Sequence, residues 1–269
     1  MRPFLKWAGG KYKLIDRIKE QIPLGGGRLI EPFVGSGAVF LNTDFEENIL
    51  ADANQDLINI FNELKNSSEK FISDCKKLFD GSKNNEESFY ALRSEFNSTD
   101  DSYLKATIFI YLNRHCFNGL CRYNSKGHFN VPFGRYTKPY FPENELVEFS
   151  IKCQKAQFFC ADFRDVMKMA ERGDVVYCDP PYAPLTETSN FSNYTAGGFN
   201  LKDQEDLAQL AKELRTQGVY VLISNHDTAF TQSIYKDAKK LSFGVQRYIA
   251  SKSADRIIAS ELLAIYHAK

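Results

Sequence analysis

Arg28-Leu29-Ile30-Glu31-Pro32-Phe33 runs straight into Val34-Gly35-Ser36-Gly37, and this junction decides the fold. The first six residues read as a short strand with a proline near its end, and the glycine turn hands the chain to a helix over 38–41. A second strand over 48–52 ends in the carboxylate of Asp52, and another helix follows over 56–65. Strand, glycine turn, helix, strand and acid, in that order, make half of a Rossmann-like α/β domain. The turn is too short for a dinucleotide fingerprint and lacks its third glycine, and no Gly-Lys-Ser/Thr follows as a P-loop requires. Gly35 would still let backbone come close to a ligand, and Asp52 stands where a second-strand acid grips ribose hydroxyls. The plainer alternative is a tight turn beside a strand-ending Asp.

Upstream, residues 12–22 predict a helix with Leu14, Ile15, Ile18 and Ile22 on one side, ended by Pro23 and three glycines. Before it, Phe4-Leu5-Lys6-Trp7-Ala8-Gly9-Gly10-Lys11 gathers the only tryptophan with two lysines and two glycines. Lys11 at a helix start is opposed by the helix dipole. A bound carboxylate would justify it there; a solvated lysine is the alternative.

Downstream, residues 66–140 interrupt the βα rhythm, first polar, then mostly helical, then loop-rich. It resumes with strands over 157–161 and 174–178, a helix over 201–214 and a strand over 219–224. Two late strands, 242–249 and 261–266, flank a polar loop containing Lys252 and Arg256. An α/β domain with a module inserted between its second and third strands fits this order.

Asp179-Pro180-Pro181-Tyr182 ends the apolar run at 174–178. Two prolines cannot continue a ladder, so the chain must leave the sheet at Asp179. The bend carries one carboxylate, several carbonyls and one aromatic ring at the edge where open α/β sheets bind ligands. A solvated Asp after a proline-ended strand is the alternative.

Net charge is zero, from 34 basic and 34 acidic residues, yet its distribution is uneven. Residues 111–140 hold five Lys or Arg, seven Tyr or Phe, and no Asp or Glu. Basic residues interleaved with aromatics suit phosphate contact combined with base contact. Asn113, Asn118, Asn124 and Asn130 could bond base edges or phosphates. A solvated loop over core aromatics is the other reading. Six cysteines without a C-x-x-C pair and four histidines fit neither a zinc site nor a disulfide scaffold. Cys160 and Cys178 read as buried thiols. No apolar run approaches the roughly 18 residues of a membrane helix, and no signal-peptide core is present. A cytoplasmic protein without membrane contact is expected.

These stretches together resemble the Dam-type DNA adenine-N6 methyltransferases of the α group, over nearly the whole chain. The resemblance rests on Phe4 to Lys11, Glu31 to Gly37, Asn118-Gly119-Leu120-Cys121-Arg122-Tyr123-Asn124, Phe129-Asn130-Val131-Pro132-Phe133-Gly134-Arg135-Tyr136 and Asp179 to Tyr182, in that order. It implies a Rossmann-like class I S-adenosylmethionine-dependent methyltransferase fold with a mostly helical DNA-recognition insertion. The catalytic domain would be 1–56 with 145–269, and the target-recognition domain 57–144. The donor would be S-adenosylmethionine, leaving S-adenosylhomocysteine, with no metal, and the partner duplex DNA containing GATC. With no extended apolar surface stripe standing out in the sequence, a monomer is expected.

By the same resemblance, Trp7, Lys11, Phe33, Gly35, Asp52, Phe163 and Asp179 match cofactor positions. Lys11 would meet the cofactor's carboxylate, Asp52 its ribose, and Phe163 would flank its adenine. Lys6, Leu120, Arg122 and Pro132 match base-reading positions, with Arg122 and Lys6 suited to guanine and the other two to thymine methyls. Arg93, Arg114, Asn124, Arg135 and Tyr136 match phosphate or DNA-positioning sites, and Phe117 and Asn118 lie among them. Two residues depart from the pattern. Phe117 stands where relatives often have Tyr, and Thr137 where some have a basic residue, which predicts a slightly shallower salt dependence.

In the catalytic bend, Asp179 and the Pro180 carbonyl would accept hydrogen bonds from the adenine amino group. Tyr182 would stack on the extruded ring, and Pro181 would stiffen the bend. Methylation of another amine, such as cytosine N4 or a protein glutamine, remains open as a rival. So does a DNA-binding regulator without catalysis.

Overall fold

The computed structural model describes residues 1–23, 25–183, 198–246 and 258–268. A 3-10 turn (Lys11–Leu14) leads into α1 (Ile15–Lys19), β1 (Leu29–Glu31), α2 (Ala38–Leu41), β2 (Asn48–Asp52) and α3 (Gln55–Asn66). Then come α4 (Ser68–Lys77), α5 (Glu86–Ser98), α6 (Ser102–His115), α7 (Glu143–Lys152), β3 (Ala156–Cys160) and α8 (Phe163–Met167). The chain ends with β4 (Val175–Cys178), α9 (Leu201–Thr216), β5 (Tyr220–His226), α10 (Ala229–Ile234), β6 (Lys239–Gln246) and β7 (Ile258–Tyr266). The sheet has seven strands in the order β3-β2-β1-β4-β5-β7-β6. Its first five follow the doubly wound Rossmann order; β7 is antiparallel to both β5 and β6. The fold is Rossmann-like, and the helices α4 to α6 lie between β2 and β3 in sequence.

Contacts divide the chain into two compact units, Met1–Glu20 with Val34–Ala161, and Gln21–Phe33 with Asp162–Lys269. In the first, β2 and β3 pair in parallel from Asn48 with Ala156 to Asp52 with Cys160. Helix α3 starts where the Asn54 side chain accepts the Leu57 N–H. It buries Leu57, Ile58, Ile60, Phe61 and Leu64 on one face. Phe61 stacks on Phe149 of α7 at 4.7 Å between ring centroids, and Phe4 meets Phe149 edge-on at 5.0 Å. Helix α6 is buried continuously from Ala106 to His115, as a helix with neighbours on all sides must be.

In the second unit, β1, β4 and β5 pair in parallel, and β4 is buried at every position. An Asn200–Asp203 capping box starts α9. Asp174, just before β4, accepts hydrogen bonds from the Arg28 backbone N–H (2.9 Å), the Arg28 guanidinium (2.7 Å from Nη2) and the Glu171 N–H (2.8 Å). These bonds tie the amino ends of β1 and β4 together.

The helix expected over 12–22 is shorter, because only Ile15 and Ile18 of its regular turn are buried and Pro23 disfavours helix at the residue before it. Helices α7, α8 and α10 were not foreseen. Cys178 is buried as expected, whereas Cys160 is exposed. It ends β3, an edge strand whose burial falls away toward that end. The first late strand begins at Lys239, and 247–249, Lys252 and Arg256 lie outside the described residues. Among the described residues no helix is long and apolar enough to cross a membrane.

Burial opposes the charge on Asp174, but the bonds from Arg28 and the backbone N–H groups outweigh it and hold its carboxyl below the usual range. The stabilisation is therefore present above the unfolded Asp value of about 3.9 and lost as pH falls through the depressed folded value. Asp174→Ala removes the acceptor of the Arg28 guanidinium and of the Arg28 and Glu171 N–H groups, and should cost about 1–3 kcal/mol in urea unfolding at neutral pH. The variant's stability should also decline less steeply than wild type below about pH 4.

Candidate active site and nucleic-acid interface

The parallel strands of the second unit bring their carboxyl ends to one edge, and the bend at Asp179 leaves from there. Asp179 is half-buried, Pro180 is buried and Tyr182 is half-buried. Side chains from other elements hold the bend. Gln204 of α9 donates Nε2–H to the Pro181 carbonyl at 2.7 Å. Asn225 of β5 accepts the Ala183 N–H at 3.1 Å, and the next residue's His226 Nδ1 lies 2.7 Å from the Ala183 carbonyl. Facing a carbonyl, Nδ1 must carry the proton. The Tyr182 hydroxyl donates to Glu261 Oε2 at 3.2 Å, and its ring meets the His226 ring edge-on at 4.7 Å. Burial first, then the charges of Asp179 and Glu261, push the Tyr182 hydroxyl well above its ordinary pKa. Among the described residues no donor reaches the Pro180 carbonyl.

The same unit places Phe33 on Phe163, stacked at 5.3 Å, with Phe199 closing on both rings at 5.4 Å. Phe33 is half-exposed, while Phe163 lies buried beneath it. The Arg164 guanidinium sits 4.4 Å from the Phe163 ring centre and is itself bonded to Asp162, Asp203 and Asp206.

The first unit holds the other expected cofactor residues. Lys11 is only 5 % exposed, and its ammonium donates to the Gly9 carbonyl at 2.6 Å, so it is not a solvated lysine. Gly35 has φ +48°, and a Cβ there would fall 2.9 Å from Trp7 Nε1. The close approach that this glycine permits is made by Trp7. Asp52 Oδ2 accepts the Gly35 N–H at 3.1 Å and Oδ1 accepts the Asn54 N–H at 2.9 Å. Burial raises the Asp52 pKa against the pull of these backbone donors.

The residues expected to read DNA share this unit. The Lys6 backbone is gripped on both sides by the Asn113 amide, which accepts its N–H (2.9 Å) and donates to its carbonyl (2.8 Å) and to that of Gly119 (3.3 Å). The Lys6 stem crosses Gly119 so closely that no Cβ would fit. Its ammonium lies 4.4 Å from the Tyr136 ring centre. Burial, then the Arg114 charge, lowers the Lys6 pKa. The Tyr136 hydroxyl accepts the N–H of Asn118, a residue at φ +55°. Arg122 is exposed, with Nε on Asn130 Oδ1 (2.8 Å) and Nη2 on the Asn130 carbonyl (3.3 Å).

Phe117 is exposed and donates its N–H to the carbonyl of exposed Pro132 (2.8 Å), and Leu120 is half-buried. Arg135 is exposed and lies 3.7 Å from Glu86. Asn124 Oδ1 closes a tight turn by accepting the N–H groups of Lys126 and His128. Arg93 donates to the Val131 carbonyl at 3.0 Å and lines a cleft of about 310 Å³ with Tyr90, Asn97 and His128.

Arg114 does not stand where a phosphate could reach it. It is 7 % exposed, on the buried side of α6, and its guanidinium donates to the Phe4 carbonyl. Asn113 is likewise interior. Tyr111 and Phe129 belong to the core, whereas Phe117 and Tyr140 are exposed. The segment 111–140 thus divides its aromatics between the core and the surface. Gln204, Asn225, His226 and Glu261 were missed, and no local pattern in the sequence marks them.

A Rossmann-like sheet with an Asp-Pro-Pro-Tyr bend at the carboxyl end of β4 is the arrangement that the resemblance to a methyltransferase leads one to expect. The chain belongs to the D12 class of N6 adenine-specific DNA methyltransferases, whose family model matches residues 7–249. It is similar to the DNA adenine methylase of Serratia marcescens, with 52% identity over 266 residues, 98% of each chain. It is also similar to that of Escherichia coli strain K12, with 50% identity over 265 residues, 98% of this chain and 95% of the relative. The Haemophilus influenzae enzyme of that name is 50% identical over 270 residues, covering 100% of this chain and 94% of the relative.

Trp7 is the sole tryptophan, so intrinsic fluorescence reports directly on the glycine turn. Gly35→Ala should push the indole away, shift its emission to longer wavelength and lower stability by about 1–2 kcal/mol from backbone strain alone. Unchanged emission would show that Trp7 does not rest on Gly35.

Proposed function

We propose that this adenine-N6 DNA methyltransferase acts on GATC in duplex DNA, with S-adenosylmethionine as donor, by turning the target adenine out of the helix into the bend after β4. The observation that carries this reading is the Pro180 carbonyl, which belongs to a buried residue and meets no donor among the described residues while its neighbour at Pro181 is taken by Gln204. Buried carbonyls are nearly always bonded. An amino group with two N–H bonds matches one carbonyl and one carboxylate, here Pro180 and Asp179. In a paired duplex one of those N–H bonds faces thymine, so both acceptors can be met only by an extruded base.

Accepting hydrogen bonds from both N–H groups draws the nitrogen lone pair out of the ring and stabilises the charge that develops on it. Tyr182, anchored through its hydroxyl, offers a flat surface for the base. Proline's fixed φ helps hold the acceptors in place.

The residues present fit the donor. When bound, S-adenosylmethionine supplies an electrophilic methyl group on a sulfonium. Lys11 is a buried cation suited to its carboxylate, and the Asp52 carboxylate can accept further bonds beyond its backbone donors, as a ribose diol requires. The half-exposed Phe33 ring, backed by Phe163, offers an apolar face to its adenine. For sequence choice, Arg122 is held flat against Asn130, a preorganised fork for guanine O6 and N7. Lys6, fixed by Asn113, suits a second guanine, and Leu120 and Pro132 suit thymine methyls. Arg93, Asn124, Arg135 and Tyr136 would position the backbone within the recognition segment 57–144, and Arg114 would act from inside it by holding Phe4.

Incubating a duplex bearing one GATC with labelled S-adenosylmethionine, then digesting to nucleosides, should put the label in N6-methyldeoxyadenosine. Label in N4-methyldeoxycytidine, or equal labelling of a duplex lacking GATC, would refute the reading. Asp179→Ala should bind the duplex as wild type does while turnover falls by about 100-fold or more. Arg122→Ala should lose about 1–3 kcal/mol of discrimination at one base pair. An equal loss on every sequence would instead identify a phosphate contact.

A further inference from the structure

We propose that Gln204 and Asn225 are positioning residues that act as one unit to set the acceptor bend, an inference that rests on the function proposed above. Both are fully enclosed, at 1% and 0% exposure, so neither can touch DNA or donor from its present place. Their hydrogen bonds run in one direction. Asn225 Oδ1 accepts two backbone donors, the N–H groups of Ala183 (3.1 Å) and His226 (2.9 Å). That fixes its amide, so Nδ2 must face Gln204, and it donates to Oε1 at 2.8 Å. The Gln204 amide is fixed in turn, and its Nε2 donates to the Pro181 carbonyl at 2.7 Å. Reversing either amide would set donor against donor and acceptor against acceptor.

The relay thus grips the chain on both sides of Tyr182, at the carbonyl before it and the N–H after it. Pro180 and Pro181 have no N–H, so the bend offers few other handles. Taking the Pro181 carbonyl also selects which proline carbonyl remains for substrate. A shift of about 1 Å in a reacting group can cost about 100-fold in rate. Loss of the relay should therefore slow the chemical step and leave binding alone.

The test is single-turnover methylation of a GATC duplex at saturating donor, for wild type, Gln204→Ala, Asn225→Ala, the double variant and Gln204→Glu. DNA affinity and melting temperature are measured alongside. Each alanine variant should be about 10–100-fold slower with unchanged DNA affinity. The double variant should be no slower than the slower single one, because either change breaks the same relay. Gln204→Glu keeps the volume and can donate to Pro181 only while the introduced carboxyl is protonated. Its rate should fall with rising pH beyond any fall in wild type. Wild-type rates in these variants, additive losses, or losses that track melting temperature overturn the inference while leaving the proposed function standing. A wild-type enzyme that makes no N6-methyladenine overturns both.

Discussion

Two consecutive prolines after a buried strand impose the constraint on which the bend after β4 depends. They end β4 cleanly, but they also remove two backbone donors from the residues that must be held most exactly. The bend can then be fixed only through its carbonyls, through Ala183 and through the Tyr182 side chain. Four of those handles are taken by buried polar groups: the Pro181 carbonyl by Gln204, the Ala183 N–H by Asn225, the Ala183 carbonyl by His226 and the Tyr182 hydroxyl by Glu261. The parallel pairing of β4 with β5 supplies the first partners, because Asn225 follows two residues after the Ile223 that pairs with Cys178. The antiparallel β7 supplies the last, pairing Glu261 with His226. A sheet of purely parallel strands would have brought a different strand end to this place.

The first unit meets a similar constraint in another way. Helix α6 is buried over its last turns, yet it carries Asn113, Arg114 and His115 there. Buried polar groups need partners; the N-terminal segment provides them for Arg114 and Asn113, through the backbone of Phe4 and Lys6, and the Tyr111 carbonyl does so for His115. Burial holds the His115 ring neutral, with its pKa lowered to about 4, stacked on Tyr111. The interior thus stabilises a helix and, by the same bonds, fixes Lys6 beside the loop of Asn118 to Arg122. Exposed Arg122 is aligned more cheaply, by one asparagine eight residues on.

What could be read from the sequence was what local rules encode. Strand β2 and helix α2 have the limits expected, since a glycine turn, a period and a terminal acid mark them. The family resemblance was visible because its motifs are contiguous. Less was legible wherever burial depends on distant elements. Cys160 was expected inside, but its strand lies at the sheet edge. Arg114 was read with its basic neighbours, although helical geometry turns it inward. The short helices α8 and α10 are fixed by caps at Asp162 and Thr228 rather than by any apolar period. Gln204 and Asn225 are ordinary amides in sequence, and only the fold shows that they meet.

The protonation of the bend narrows what its groups can do. Burial first, and then the nearby charges of Asp179 and Glu31, keep Cys178 a thiol far above its usual pKa. A thiol so placed cannot supply a thiolate nucleophile. The same balance keeps Tyr182 a phenol, since a phenolate would be buried beside two carboxylates. It cannot act as a base, and its proton is directed at Glu261. Held neutral, neither the cysteine nor the tyrosine would supply the nucleophile in the proposed reaction. On the proposed function, the bend would orient the substrate's amino nitrogen and stabilise the charge it acquires, which an acidic side chain and a backbone carbonyl can do without changing protonation state.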